Sequence, residues 1–281
     1  MNDTDDWFEV EQLHADTWRI AEATIFNDYL FVGDDSALVL DGSVGVGDLR
    51  SMVGDLVDVP VEQILTHTHW DHMGTAHQFE NVRVHPAERT PEGGVRPDYV
   101  ASEFNYGPED WVSQFLEAGG QFPDGMDPDA FSVEPATDVG TAEGGDVVDL
   151  GGRELELLHL PGHAPGQLGA LDRERGVLYG GDVVHIDYSL FVHFEGCDAV
   201  DYVETFGRLR ELRDERAFDT LYTAHNPPLS GDELDIVDEF YEGLQAILDG
   251  ELEGEHNGEQ PPGIVFDVAG HDVVVKPSVV G

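Results

Sequence analysis

The stretch Val61-Glu62-Gln63-Ile64-Leu65-Thr66-His67-Thr68-His69-Trp70-Asp71-His72 decides how the rest of the chain reads. Its first part is a short apolar run directly after Pro60, the pattern of a buried strand. Its second part sets four ligand-type side chains, His67, His69, Asp71 and His72, within six positions. Two imidazoles at i and i+2 on an extended segment point the same way, so His67 and His69 can reach one metal ion. Asp71 and His72 follow where the chain is expected to turn into a short helix beginning near Met73, and there they can face a second ion. A lone histidine is ordinarily a satisfied core or surface residue. Four ligand types at the end of a buried strand are not accounted for in that way.

Upstream of this stretch, residues 29–33 and 37–41 read as strands joined at Asp34-Asp35. The spacing of Leu49, Met52, Val53 and Leu56 predicts a helix over 48–57. Downstream, 82–85 is the next strand, which completes the order of an α/β layered domain. From Asp146 onward the pattern resumes. Strands over 147–150 and 154–160, and over 167–171 and 177–179, read as hairpins. Helical spacing covers 199–213 and 231–248, a short strand covers 221–223, and 264–268 with 272–275 form a terminal strand pair. This strands-then-helix order occurs twice, and two similar halves within one domain, 1–281, would give a four-layer sandwich. Between them, about 87–136 breaks the pattern. A helix is expected over 109–118, and Tyr99, Phe104, Tyr106, Trp111, Phe115 and Phe122 cluster there. The segment reads as an insertion folded over the core, either an active-site cap or plain packing.

The charge is the compositional outlier: among 281 residues, 59 Asp and Glu stand against 13 Lys and Arg, a formal net charge of −46, and Lys276 is the only lysine. The excess runs along the whole chain and the apolar periodicity persists through it, which argues against disorder. A carboxylate-rich, lysine-poor surface suits a high-salt cytoplasm, where salt screens self-repulsion. A nucleic-acid ligand is disfavoured, because phosphate backbones require basic patches. No stretch approaches the roughly 18–20 apolar residues of a membrane-spanning helix. Residues 1–6 lack the basic-then-apolar start of a signal peptide. A cytoplasmic protein acting on a small molecule, without a membrane partner, is expected, and nothing in the sequence assigns an oligomeric state. The lone Cys197 excludes an intrachain disulfide and a cysteine-built zinc site, and reads as a small buried hydrophobe.

Three further ligand types sit where a strand runs into a loop, the place where α/β sites are assembled. They are His163 in Leu160-Pro161-Gly162-His163-Ala164-Pro165-Gly166, Asp182 in Tyr179-Gly180-Gly181-Asp182, and His225 in Tyr222-Thr223-Ala224-His225-Asn226-Pro227. The ordered set resembles the metallo-β-lactamase superfamily, above all its glyoxalase-II-like and lactonase-like hydrolases, over nearly the whole chain apart from the insertion. The resemblance implies an α/β fold, a four-layer αββα sandwich with a helical insertion, and two divalent metal ions. It assigns His67, His69 and His163 to the first ion, Asp71, His72 and His225 to the second, and Asp182 to both. Zinc suits such a His/Asp set best, and iron or manganese would also fit. Two cations about 3.5–4 Å apart make a bound hydroxide at neutral pH. That hydroxide is expected to attack a thioester, lactone or related ester, with the ions stabilising the oxyanion. Asp71 would orient the nucleophile and pass a proton to the leaving group.

Asp41, in Val39-Leu40-Asp41-Gly42, resembles a carboxylate that supports the metal loops, with a plain turn residue as the alternative. His185, Tyr188 and His193 follow Asp182 and are candidates for the substrate pocket, although Tyr188 sits at a different offset from the tyrosine of the lactonases. His14, His77, His85, His159, His256 and His271 read as structural or surface residues. Phe194-Glu195-Gly196 resembles the glyoxalase II stretch in this region. The basic residues that grip glutathione there are missing and Lys276 lies far along the chain, which argues against a glutathione thioester and leaves another thiol carrier or a lactone. A persulfide dioxygenase with one iron shares the fold and is the alternative, disfavoured by the complete second set of ligands. A metal-free scaffold is disfavoured because all seven ligands are kept, and a nuclease by the acidic surface.

Overall fold

The computed structural model describes residues 7–97, 106–258 and 262–280, and the chain divides into two units. The first takes in 7–97, 106–142 and 148–154 of the described residues. Its sheet has seven strands in chain order: β1 (Phe8–His14), β2 (Thr17–Glu22), β3 (Phe26–Val32), β4 (Ala37–Leu40), β5 (Val61–Ile64), β6 (Val82–Val84) and β7 (Gly140–Thr141). β1 to β4 form an antiparallel meander, and β4 to β7 pair in parallel. The β3–β4 turn lies at Asp34-Asp35 as expected, closed by the Gly33 N–H donating to the Ser36 carbonyl at 2.9 Å. All four residues of β4 are buried, which explains its unbroken apolar sequence. The β4-to-β5 crossover carries α1 (Leu49–Leu56), capped by Asp48, whose carboxylate accepts the Ser51 N–H at 2.9 Å. Parallel β5 then delivers residues 65–72 from its C-terminal end, where α/β sites gather.

One expectation needs correction here. The helix predicted near Met73 is a loop followed by a single 3-10 turn, Ala76–Gln78. The backbone N–H groups of Gly74 and Thr75 donate to the carbonyls of Ser43 and Gly42, both at 2.9 Å, so they are spent across the fold rather than within a helix. β1 and β2 had no sequence reading, and β1 buries only Phe8, so it carries no apolar alternation to find. The insertion contains the expected helix, α2 (Pro108–Glu117). Tyr99 and Phe104 lie outside the described residues. The rings of Trp111, Phe115 and Phe122 do cluster, with centroids 4.9–5.6 Å apart.

The second unit takes in 143–147, 155–258 and 262–280 of the described residues. The remaining strands are β8 (Val147–Asp149), β9 (Glu154–His159), β10 (Leu168–Asp172), β11 (Val177–Tyr179), β12 (Leu190–Val192), β13 (Thr220–Tyr222), β14 (Leu229–Ser230), β15 (Glu255–His256), β16 (Ile264–Val268) and β17 (His271–Val275). One sheet runs β14-β13-β11-β10-β9-β8 and another β12-β17-β16-β15. The helices α3 (Ala199–Asp214) and α4 (Ile236–Leu248) bury Phe206, Leu209, Phe240 and Leu244 in an apolar cluster shared with Val273 and Val275. Two registers position functional groups. β11 pairs in parallel with β13, Tyr179 opposite Tyr222, so the loops that follow leave side by side. β12 pairs in parallel with β17, Val192 opposite Val275, so the next residues, His193 and Lys276, are neighbours across the two strands. Lys276 is remote in sequence only. Sheets and helices in each unit give the mixed α/β class that the sequence implies. Among the described residues no helix is long and apolar enough to cross a membrane.

Candidate metal centre

In the first unit the loop after β5 brings His67, His69 and His72 together, all buried. The His67 ring centroid lies 4.4 Å from that of His69 and 4.1 Å from that of His72. Asp71 is more open, and its Oδ1 lies 3.9 Å from His72 Nε2. Carboxylates hold this loop from behind. Asp41 leaves β4 with φ +66°, a left-handed conformation that aspartate tolerates better than most residues. Its Oδ1 accepts the Thr66 N–H at 2.6 Å and the Thr66 hydroxyl at 2.9 Å, and its Oδ2 lies 3.0 Å from His72 Nδ1. A carboxylate on Nδ1 favours the proton there and turns Nε2 toward an ion. Asp41 is therefore a support of the histidine loop rather than a plain turn residue. The Thr66 hydroxyl lies 3.1 Å from His67 Nδ1 and orients that ring similarly.

Glu88, fully buried, was not singled out by the sequence. Its Oε2 accepts from the Thr68 N–H at 3.1 Å and the Thr68 hydroxyl at 2.8 Å, which pins the residue between the two imidazoles. No spacing links Glu88 to Thr68; the parallel pairing of β5 with β6 brings them together. Two more buried acids secure the β4–α1 loop. Asp28 accepts from the Ser43 N–H and hydroxyl, and Glu22 from Trp7 Nε1 and the N–H groups of Val44, Gly45 and Gly47. Burial pushes the Asp28 carboxyl well above the usual carboxylate range against its bond from Ser43, and the charges of Asp41 and Glu22 add to the rise. Burial also raises Glu22 despite its four donors. Between His69 and Asp71, Trp70 turns to the insertion: Nε1 donates to the Tyr106 carbonyl at 3.1 Å, and the ring packs near Phe26 and Trp111.

In the second unit His163 follows β9, Asp182 follows β11 and His225 follows β13. Asp182 is the hub. Its Oδ2 lies 3.5 Å from His163 Nε2 and 3.7 Å from His185 Nε2, and its Oδ1 lies 3.3 Å from His225 Nε2. His163, Asp182 and His185 each offer a ligand atom within 4.8 Å of the others. His185, expected only to line a pocket, thus stands among the donors, with its ring stacked on His225 at 5.6 Å. Gly162 permits the close turn into His163: at φ +135° a Cβ there would meet the Tyr202 ring at 2.5 Å. Tyr202 in turn donates to the Asp182 carbonyl at 3.3 Å, and the Cys197 thiol to the His163 carbonyl at 3.0 Å. Of the other pocket candidates, His193 is buried and Tyr188 is exposed.

Each unit therefore carries imidazoles with a carboxylate, and in the first unit Thr66 and Asp41 orient His67 and His72 through their Nδ1 atoms. This donor chemistry fits a divalent ion such as zinc, iron or manganese. Residues 25–225 match the family described as the metallo-β-lactamase superfamily, a span that includes all seven predicted ligands. The chain is 31% identical over 211 residues to the acyl-coenzyme A thioesterase MBLAC2 of Homo sapiens, covering 71% of this chain and 72% of that one. It is 30% identical over 234 residues to the protein of the same name from Gallus gallus, covering 78% and 81%. Among solved structures, the metallo-β-lactamase from Pontibacter korlensis aligns with a TM-score of 0.56 at 16% identity, over 85% of this chain and 99% of that one, a likeness of fold alone. The chain belongs to the metallo-β-lactamase superfamily and is a hydrolase of that superfamily.

Proposed function

We propose that the protein is a metal-dependent thioesterase acting on acyl groups carried by a thiol carrier of the coenzyme A kind. The observation that carries this reading is the identity to two acyl-coenzyme A thioesterases over 71% and 78% of the chain. The donor sets support it. His67, His69 and His163 would hold one divalent ion, Asp71, His72 and His225 a second, and Asp182 both, with zinc the best match to these ligands. When bound, such a pair supplies a water acidic enough to attack a carbonyl at neutral pH and a positive field for the oxyanion. The chain's own residues do the rest. Asp41 and Thr66 fix the ring orientations of His72 and His67, and Glu88 fixes the backbone between His67 and His69. Asp71, the most open carboxylate of the loop, takes the proton of the nucleophile and returns it to the departing thiolate. His185, Tyr188 and His193 form the substrate wall. The insertion from about 87 to 136, tied to the loop through Trp70, is the cap. The chemistry is glyoxalase-II-like, and the setting is a high-salt cytoplasm, as the net charge of −46 with one lysine suggests.

The deciding experiment is a hydrolysis panel on metal-quantified protein at high salt, with acyl-coenzyme A, acyl-glutathione, lactone, β-lactam and phosphodiester substrates. Turnover of acyl-coenzyme A that scales with two divalent ions per chain and disappears on chelation is expected. One iron per chain with oxygen uptake and no hydrolysis would overturn the reading. Asp71→Ala should abolish turnover with an unchanged circular dichroism spectrum, and near-normal hydrolysis would remove Asp71 from its role. The salt reading predicts unfolding at ~10 mM salt, where the Debye length is about 30 Å; full stability there would contradict it.

A further inference from the structure

In the second unit β10 lies between β9 and β11 and runs antiparallel to both. The residue that enters β10 therefore stands between the loop that carries His163 and the turn that carries Asp182. That residue is Gln167, which is fully buried. Its backbone closes the His163 loop: the carbonyl accepts the Leu160 N–H at 2.8 Å, and the N–H donates to the Ala164 carbonyl at 3.2 Å. Its side chain reaches the adjacent turn. Nε2 donates to the Gly180 carbonyl at 3.1 Å and, at 3.4 Å, more weakly to the Leu168 carbonyl.

Two carbonyl oxygens at one end of the amide identify that end as the NH2 group. The other end, Oε1, is buried, and among the described residues no donor reaches it. A buried acceptor without a donor works against folding. The Gly180 carbonyl, for its part, also accepts the Val183 N–H at 3.3 Å, so it is satisfied without the amide. An apolar side chain of the same length would serve folding at least as well. The amide thus answers to something other than stability, and what it holds is the turn of Asp182.

That turn is held loosely from within. Its internal bond, from Val183 to Gly180, is long, and Asp182 departs from helical backbone with φ −97° and ψ 21°. Support comes from neighbours. The Gly180 N–H donates to the Tyr222 carbonyl at 2.9 Å, the Ala224 N–H to the Gly181 carbonyl at 3.2 Å, and the Tyr202 hydroxyl to the Asp182 carbonyl at 3.3 Å. Tyr202 secures the turn from α3 and Gln167 from the sheet. Between the two loops Asp182 Oδ2 lies 3.5 Å from His163 Nε2. Two ligands about 2.1 Å from one tetrahedral ion stand about 3.4 Å apart, so the observed spacing is already that of a shared ion.

We propose that Gln167 is a positioning residue for the metal donors of this unit: through Gly180 it fixes where the Asp182 carboxylate stands relative to His163. The inference rests on the metal-binding reading of these donors and is independent of which ester is cleaved.

The test uses Gln167→Met and Gln167→Leu in the full chain at high salt. Both remove the N–H groups together with the unmatched Oε1, and methionine keeps the length of the side chain. In the metal-free protein the melting temperature of Gln167→Met should match or exceed that of the parent. A fall of more than about 4 °C, the scale of a lost buried hydrogen bond in a chain of this size, would make the amide a plain fold contact. With cobalt as the probe, the dissociation constant should rise about tenfold, the low end for removing an outer support of metal ligands. The visible absorption bands of the bound cobalt should shift as well, which a loss of stability alone does not produce. Hydrogen exchange in the metal-free protein should accelerate about tenfold over 180–184 and 222–226 and stay unchanged in α4. Unchanged affinity, spectrum and exchange, or failure of both variants to fold, overturns the proposal. A parent that binds no cobalt removes the metal reading and leaves exchange to decide: local acceleration keeps Gln167 as the tie of the Asp182 turn, and uniform or unchanged exchange removes it. A parent that binds cobalt, shows the variant effects and hydrolyses no thioester removes the thioesterase reading alone.

Discussion

In the first unit four donors occupy six consecutive positions, from His67 to His72, and buried carboxylates hold that loop; in the second, His163, Asp182 and His225 leave three different strands that rest on an apolar cluster. The difference teaches how each half attains its geometry. A contiguous loop has its spacing built into the backbone, but its two histidine rings and its turn must be aimed. Asp41, Thr66 and Glu88 do this with short hydrogen bonds in a buried setting, where each bond matters and each unmet partner is costly. Dispersed donors need less local aiming. They need β9, β11 and β13 to end at the right places, which registers and apolar packing supply.

Four substitutions would break or sharpen this contrast. The largest loss of stability is expected from Phe240→Ala in the second unit, about 3–5 kcal/mol from the cavity left in the apolar cluster. The metal affinity of the remaining folded protein should stay near its original value, and a large drop in affinity would break the distinction. Asp41→Ala comes next. It strips the Thr66 N–H, the Thr66 hydroxyl and His72 Nδ1 of their carboxylate, for about 3 kcal/mol. Unlike Phe240→Ala, it should also lower metal affinity about 10–100-fold in a chelator competition. Glu88→Gln keeps an acceptor for Thr68 but loses the charge, and should cost about 1 kcal/mol with a several-fold loss of affinity. Unchanged affinity would reduce Glu88 to a packing role.

The smallest effect is expected for Asp28→Asn near pH 4, where the fold keeps this carboxyl protonated. The Asp28 carboxyl is raised in the fold, so the fold favours its protonated form. That contribution is full below the unfolded pKa near 4 and is lost as pH rises through the folded value. Asparagine keeps both partners on Ser43 and cannot ionise. The melting temperature of the variant should therefore gain on the parent as pH rises from 4 upward, and parallel curves would show that Asp28 carries no pH dependence.

Much of the fold was legible where burial leaves a local trace. β3, β4, β5, α1, α3 and the β16–β17 pair lie close to their expected ranges, because apolar runs and helical spacing record which faces are covered. β1 left no such trace, being charged along an exposed edge. The helix near Met73 failed for a different reason: the N–H groups that would have built it bond to the 42–43 loop, a partner that no window of sequence contains. At the site, the sequence picked out seven donors and Asp41. It ranked His185 below them and passed over Glu88, Asp28 and Glu22, because a buried carboxylate looks like any other in a chain so rich in acids.

The sequence by itself determined that a loop dense in possible metal donors follows the strand and which residues open it, because an i, i+2 pair on an extended strand shares a face whatever surrounds it. Only the tertiary structure decided that His185 joins Asp182, that Glu88 lies under Thr68, that Trp70 ties the insertion to the loop, and that Lys276 stands beside His193. Those pairings depend on strand register and on which buried groups must satisfy one another, and both are settled by packing across long stretches of chain rather than by any local period.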